Sequence, residues 1–281
     1  MRSSVWITIL AGAVAINAGC IGRMVTPTVT VAEAKTTTVA KQERAPKVTA
    51  AEAPAVAVAK QEPAAKVEAP GKDVLAFDNF DGKLSLKWDI KNLDPTHYSL
   101  TKKPGTLTIT TQVGSFGHAG TDYKNVFLVD CPAAPAGKDL QVTVRVVDFK
   151  PVGDWTQVGL VFWNDEDNHL KWDLEWSSRR TLMVISETRG EWTLQQGYNA
   201  PDDTGDLWLR VIKHADRYTL QASADGKSFT TCGDKTWGDG NVKMVGIYAK
   251  NGTGSQAPEV DASFKLFEVR AIPAQPAAAT P

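Results

Sequence analysis

Three cysteines and four histidines in 281 residues leave little material for a metal centre. His97, His118, His169 and His214 have no metal-ligand spacing, and Cys131 and Cys232 lie far apart in the chain, so no zinc site is expected. Charge of one sign is also missing: 31 Lys and Arg against 32 Asp and Glu give a net charge of -1 with no basic stripe, which argues against nucleic acid as a partner. The apolar run from Val5 to Ile16 is too short to span a bilayer as a stable helix. No Ser-His-Asp arrangement or phosphate-binding loop is present, and no cofactor is expected. No stretch keeps a helical period, which excludes a helical fold.

What is present falls into four parts. Residues 1–20 read as an export signal: Arg2, two serines, the apolar run, then Ala18-Gly19-Cys20. Small residues before Cys20 resemble the lipobox of bacterial lipoproteins, with Asn17 where that pattern prefers an aliphatic residue. The expectation is lipid attachment at Cys20 and a tether to the cell envelope, with ordinary cleavage near Ala18 as the alternative. Ile21 in place of a retaining aspartate points to the outer membrane. Residues 21–72 are Ala, Val, Pro, Lys, Glu and Thr, with no aromatic from Met24 to Lys72, and read as a disordered linker spanning roughly 40 Å as a flexible coil. Val39 to Glu43 returns as Val58 to Glu62, a low-complexity duplication. Residues 273–281 read as a frayed tail, leaving residues 73–272 as one domain.

Within that domain the informative stretch is Trp155 to Trp176, two alternating segments joined by the polar knot Asn164 to Asn168. Side chains alternate across a strand, so Val158, Leu160, Phe162, Leu170, Trp172, Leu174 and Trp176 share one face. Gln157, Gly159, Trp163, Lys171, Asp173 and Glu175 share the other, which suits a solvated sheet face or a binding groove. Turn signals at Phe80-Asp81-Gly82, Lys103-Pro104-Gly105, Thr188 to Gly190, His214 to Arg217, Asp225-Gly226 and Gly238 to Asn241 separate further short strands. The clearest are Leu107 to Thr111, Asn125 to Val129, Leu140 to Phe149, Thr181 to Thr188, Trp192 to Gln196, Leu207 to Ile212, Tyr218 to Ser223, Lys243 to Ala249 and Ser263 to Arg270. So many hairpin-spaced strands predict an all-β fold of two packed antiparallel sheets, a sandwich or jelly roll.

Several short motifs carry a family resemblance. Phe80-Asp81-Gly82 with Trp88, Tyr98-Ser99-Leu100, Pro104 to Leu107, Gln157 to Leu160, Asp167-Asn168 and a closing Phe264 to Phe267 occur in order along the domain. Together they resemble the concanavalin A-like domain at the C-terminus of family 43 β-xylosidases, and equally the related stand-alone bacterial domains of unknown function. The resemblance implies a curved two-sheet jelly roll whose relatives bind or help position glycans.

Three functional readings follow. Asp173 and Glu175, two apart on one strand, are the paired carboxylates that a glycoside hydrolase acting on a polysaccharide needs as acid and base. Jelly-roll glucanases of the laminarinase type carry a Glu-x-Asp-x-(x)-Glu strand, however, and here Lys171 holds its first position. Lys265 stands where such domains place a calcium-binding aspartate, leaving Asp78, Asp81 and Asp261 as the remaining calcium candidates; no metal is expected.

Non-catalytic binding is the preferred reading: sugars stack on aromatic rings while carboxylates, amides and lysine take their hydroxyls. Of nine tryptophans Trp6 lies in the leader, Trp88, Trp172, Trp176 and Trp208 read as packing, and Trp155, Trp192 and Trp237 stand at turns or strand starts where a groove rim would be. The expected ligand-binding set is Gln157, Trp163, Lys171, Asp173, Glu175 and Trp192, with a glycan or polysaccharide as partner. The third reading is a structural or protein-interaction module of the envelope. Cys131 and Cys232 are either a disulfide, which an oxidising compartment would allow, or two separate buried thiols.

Overall fold

The computed structural model describes residues 71–117 and 120–274; the leader, Cys20, most of the linker, most of the tail and His118 lie outside the described residues, and Pro273, read as the start of the tail, closes the last strand. All strand pairs are antiparallel and form two sheets. The first has eight strands: β1 (Val74–Asp78), β3 (Tyr98–Ser99), β4 (Leu107–Thr110), β6 (Lys138–Val147), β11 (Asp206–His214), β12 (Arg217–Ser223), β13 (Thr230–Thr236) and β15 (Asp261–Pro273). Their order is β13-β12-β11-β6-β15-β4-β3, with β1 also paired to β15. The second has seven: β2 (Asp89–Lys91), β5 (Val126–Asp130), β7 (Gln157–Asp165), β8 (Asn168–Trp176), β9 (Arg180–Thr188), β10 (Glu191–Asn199) and β14 (Met244–Lys250), in the order β10-β9-β8-β7-β14-β5-β2. Packed face to face they make the two-sheet jelly roll expected from the alternation.

Local chemistry explains the hairpins. Between β7 and β8, Asp165 pairs with Asn168, and Asp165 Oδ1 accepts from the Asp167 N–H at 3.1 Å and Asn168 Nδ2 at 2.7 Å, closing the turn. Between β9 and β10 the two-residue loop Arg189-Gly190 has φ of 55° and 74°, the left-handed pair that matches the twist of hairpin strands.

The core lies between the sheets. Val158, Leu160, Phe162, Leu170, Trp172 and Leu174 of the second sheet are all fully buried, facing Leu107, Val142, Val144, Leu209, Val211, Phe264 and Phe267 of the first. Trp172 donates its indole N–H to the Gln221 carbonyl at 3.0 Å, tying the sheets together. Trp88 sits half-buried among Phe80, Phe127 and Phe267, and the carboxylate of Asp78 accepts its indole N–H at 2.9 Å together with the N–H groups of Phe80 and Ser85. Asp78 is thereby occupied by donors, and Asp261 is taken by Lys102 and Thr110. Among the described residues no group of three or more His, Cys, Asp or Glu side chains is placed to hold a metal ion.

The disulfide left open by the sequence is not formed. Cys131, just past β5 in one sheet, borders a cavity with Lys138 and Lys213, whereas Cys232 lies in β13 at the edge of the other sheet; both are free thiols.

Candidate functional site

The outer face of the seven-stranded sheet is a grid of rows running across β14, β7, β8 and β9. One row is Lys250, Gln157, Glu175 and Thr181; the next is Tyr248, Gly159, Asp173 and Met183; then Gly246, Val161, Lys171 and Ile185; then Met244, Trp163, His169 and Glu187. The sequence places Gln157, Trp163, Lys171, Asp173 and Glu175 on one face, and register brings them together.

That face is neither an open groove nor bare to solvent. The connection from β4 to β5 folds over it, and Phe116 and Tyr123 from that connection pack on Val126, Leu128, Val161, Trp163 and Tyr248 as a second apolar cluster. Phe116 meets Tyr123, Trp163, His169 and Tyr248 edge-on, with centroids 4.9 to 5.7 Å apart. Trp163 is 2% exposed and stacked on His169 at 5.5 Å, so it belongs to this cover. His169 Nε2 is buried without a partner, and burial depresses the ring's pKa to about 3, so the imidazole stays neutral.

Where the cover stops, a cavity of about 230 Å³ opens. Gln157, Lys171, Glu175 and Lys250 form its floor, Ile185, Glu187 and Gln195 one wall, and Phe116 an edge, with Trp155 and Trp192 at the rim. The two indoles are 49% and 55% exposed, the two most exposed aromatic side chains of the described residues. Trp192 is oriented by its N–H donating to Glu187 Oε1 at 2.8 Å. Trp155 adopts φ of 62°, an outlier for a bulky residue that costs about 1–3 kcal/mol and is tolerated where surrounding structure fixes it. Its N–H donates to the Trp176 carbonyl at 2.7 Å, and its Cβ fits only because Gly252 opposite lacks one.

The floor is a charged network with few direct partners. The Gln157 carboxamide sits between two charges: its Nε2 donates to Glu175 Oε2 at 2.5 Å and its Oε1 accepts from Lys171 Nζ at 3.1 Å. Lys171 Nζ also lies over the Phe116 and Tyr248 rings, 5.3 and 5.6 Å from their centroids. Lys250 Nζ donates to the Gly114 carbonyl at 3.0 Å. Burial, reinforced by the charge of Asp173, pushes Glu175 up to about 7. Burial, reinforced by Lys171, pulls Lys250 down to about 7. Asp173 is fully buried beneath the floor, its acidity weakened by burial, with Oδ2 accepting from Tyr248 Oη and Oδ1 unpartnered.

Of the six expected ligand-binding residues, Gln157, Lys171, Glu175 and Trp192 line the cavity, while Trp163 and Asp173 do not. Of the three tryptophans placed at a rim, Trp155 and Trp192 stand there; Trp237 is 4% exposed and donates its indole N–H to the Glu187 carbonyl, so it is core. Lys250 and Glu187 were not singled out. Extending the alternation of β14 one residue past Ala249 would have reached Lys250, which follows Met244, Gly246 and Tyr248 on the same face.

A two-sheet jelly roll with a cavity on its outer face, polar at the floor and aromatic at the rim, defines a sandwich of the concanavalin A-like class. Comparison with known proteins carries this further. The chain belongs to the family described as the β-xylosidase C-terminal concanavalin A-like domain, whose profile matches residues 77–270. It is similar to the structure of a GH43 protein from Bacillus licheniformis, at 23% identity and TM-score 0.59 over 73% of this chain and 40% of that one. It is also similar to a xylan β-1,4-xylosidase from Bacillus halodurans, at 17% identity and TM-score 0.56 over 73% of this chain and 40% of that one. This chain therefore spans about two fifths of those enzymes. A functionally unknown protein from Saccharomyces cerevisiae, at 18% identity and TM-score 0.53, is matched over 66% of this chain and 97% of its own length. Among curated proteins none matches the chain.

Proposed function

We propose that the domain is a non-catalytic carbohydrate-binding module, displayed at the cell envelope by the leader and lipid-attachment cysteine read from residues 1–20, which lie outside the described residues. The observation that carries the reading is the pair of exposed indoles, Trp155 and Trp192, at the rim of a cavity floored by an amide, a carboxylate and two lysines. Exposed tryptophan offers an apolar face for a sugar ring, and the floor offers donors and acceptors for its hydroxyls. Membership of the β-xylosidase C-terminal concanavalin A-like domain family agrees with a carbohydrate-related role. Hydrolysis by Asp173 and Glu175 is less well supported, since both carboxyls must flank the scissile bond and Asp173 is sealed beneath the floor.

The test is retention on a panel of insoluble and soluble polysaccharides, with the supernatants assayed for released sugar. Binding without release, weakened at least tenfold in Trp155→Ala and Trp192→Ala variants that still unfold cooperatively, is the expected result. Release of reducing ends that disappears in Glu175→Ala would replace this reading with the hydrolase. Absence of binding to every glycan would leave a protein-interaction module.

A further inference from the structure

We infer that the cavity selects an uncharged sugar ring, held by hydroxyls between the Lys171 ammonium and the Glu175 carboxylate, and that it rejects uronic acids and amino sugars. This rests on the cavity being a sugar site and adds the ligand class. The first ground is size. Pockets for drug-sized ligands run to roughly 300–1,000 Å³, and this one encloses about 230 Å³, room for a single ring.

The second ground is the charge arrangement. Lys171 and Glu175 are 5% and 3% exposed, and both line the cavity. Lys171 uses one of its three donors on Gln157, and Glu175 accepts from Gln157 through Oε2, which leaves Oε1 for a ligand. Gln157 is locked by these two bonds with its carbonyl toward the ammonium and its amide toward the carboxylate, so the two charges are held apart instead of neutralising each other. A hydroxyl is both donor and acceptor, so two hydroxyls on one ring satisfy both groups at once.

A charged ring does not. Above pH 7 a sugar carboxylate drawn to Lys171 enters a cavity that also contains Glu187 and the ionised Glu175, and a sugar ammonium drawn to Glu175 meets Lys171. In a buried site the like charge opposes entry while the opposite charge favours it, and the ligand's ion must still shed its water.

The test is calorimetric titration of the full chain, at a pH above 7 where Glu175 is ionised, with xylo-, cello-, manno- and arabino-oligosaccharides, oligogalacturonides and chitosan oligosaccharides. At least one neutral series is expected to bind, with both charged series at least tenfold weaker. Glu175→Gln should then raise the affinity for oligogalacturonide relative to the neutral ligand at least fivefold, and Lys171→Gln should do the same for chitosan oligosaccharide. Each ratio is read within one variant, so a general loss of stability cancels. Charged series binding as tightly as neutral ones, or ratios that do not move in the variants, would overturn the selectivity and leave the sugar site standing. Silence from every saccharide would overturn both.

Discussion

Tyr248 on β14 hydrogen-bonds Asp173 on β8 across an intervening strand, Oη to Oδ2 at 2.5 Å, because the residue between them on β7 is Gly159. Any side chain at that position would lie in the path of the bond, and a Cβ there would come within 2.4 Å of the Trp172 carbonyl and 2.6 Å of Asp173 Cβ. Tyr248 is the one partner of a buried carboxyl whose other oxygen has none. Tyr248→Phe is therefore expected to destabilise the domain by about 1–3 kcal/mol, the cost of leaving a buried polar group unsatisfied. In an Asp173→Leu background the same change should cost markedly less. A double-mutant cycle by urea unfolding measures the coupling, and independent, additive effects would refute it.

The buried charges make stability depend on pH in two opposed limbs. Glu175 has its pKa raised from 4.5 to about 7, so its contribution is complete below pH 4.5 and lost as pH rises through 7. Lys250 is lowered from 10.5 to about 7, so its contribution is complete above pH 10.5 and lost as pH falls through 7. Glu175 alone would give an acidic limb of roughly 3 kcal/mol, but buried His169, lowered from 6.5 to about 3, gains stability as pH rises between those values and offsets that limb below pH 6.5. Glu175→Gln should therefore make stability rise with pH between about 4.5 and 6.5, an effect tempered by Asp173, which is shifted in the same direction as Glu175, and Lys250→Met should flatten the alkaline limb. Unfolding midpoints from pH 4 to 10 check this; variant profiles parallel to that of the wild type would count against it.

Trp155 lends itself to a comparison of two substitutions. Both Trp155→Ala and Trp155→Gly remove the rim indole and should weaken glycan retention alike. Only glycine adopts the φ of 62° without strain, so the glycine variant should be the more stable of the two by about 1 kcal/mol. Equal thermal midpoints would mean that the backbone there relaxes once the indole is gone.

The sequence and the structure agree most where alternation is regular. The eleven strands read from period and turn signals all occur, and the Gln157, Lys171 and Glu175 face was visible because each occupies every second position of a hairpin whose other positions are Val, Leu, Phe and Trp. Four strands were missed for a physical reason: β2 and β3 are two or three residues long, β1 lies directly after the linker, and β13, Thr230–Thr236, is a polar edge strand with no apolar alternation to read. The cover was illegible because Val113 to Tyr123 is glycine-rich and without period, so nothing in it announces that Phe116 and Tyr123 turn back onto the sheet. That is why Trp163 and Asp173, correctly placed on the face, lie beneath the cover and the floor instead of in the cavity.

Free thiols give a direct chemical check. Burial pushes the Cys131 thiol up to about 11 and also raises Cys232, so both are poor nucleophiles at neutral pH. Alkylation of the native protein without reductant should be slow at both, and unfolding without reductant should expose both to full labelling. Mass spectrometry of the peptides reads the result; a Cys131 to Cys232 cross-link surviving in the unlabelled fraction would contradict the separated thiols.

Phe116 decides whether the cavity exists as a buried site. It contacts four aromatic rings edge-on and lies under the ammonium groups of both Lys171 and Lys250. Phe116→Ala removes those contacts from a cluster held by a single connection, so a cost of about 3 kcal/mol is expected, at the lower end for a buried phenylalanine. The functional consequence is larger than the energetic one. With the ring gone, water reaches Glu175 and Lys250, burial no longer separates their pKa values from the ordinary ones, and both limbs of the pH profile should shrink together. Hydrogen exchange should quicken in the connection from β4 to β5 while the strands of the inter-sheet core, β6, β8 and β15, keep their protection. Unchanged exchange in the connection with an unchanged pH profile would show that the cover is held by other contacts and that the buried charges do not depend on it.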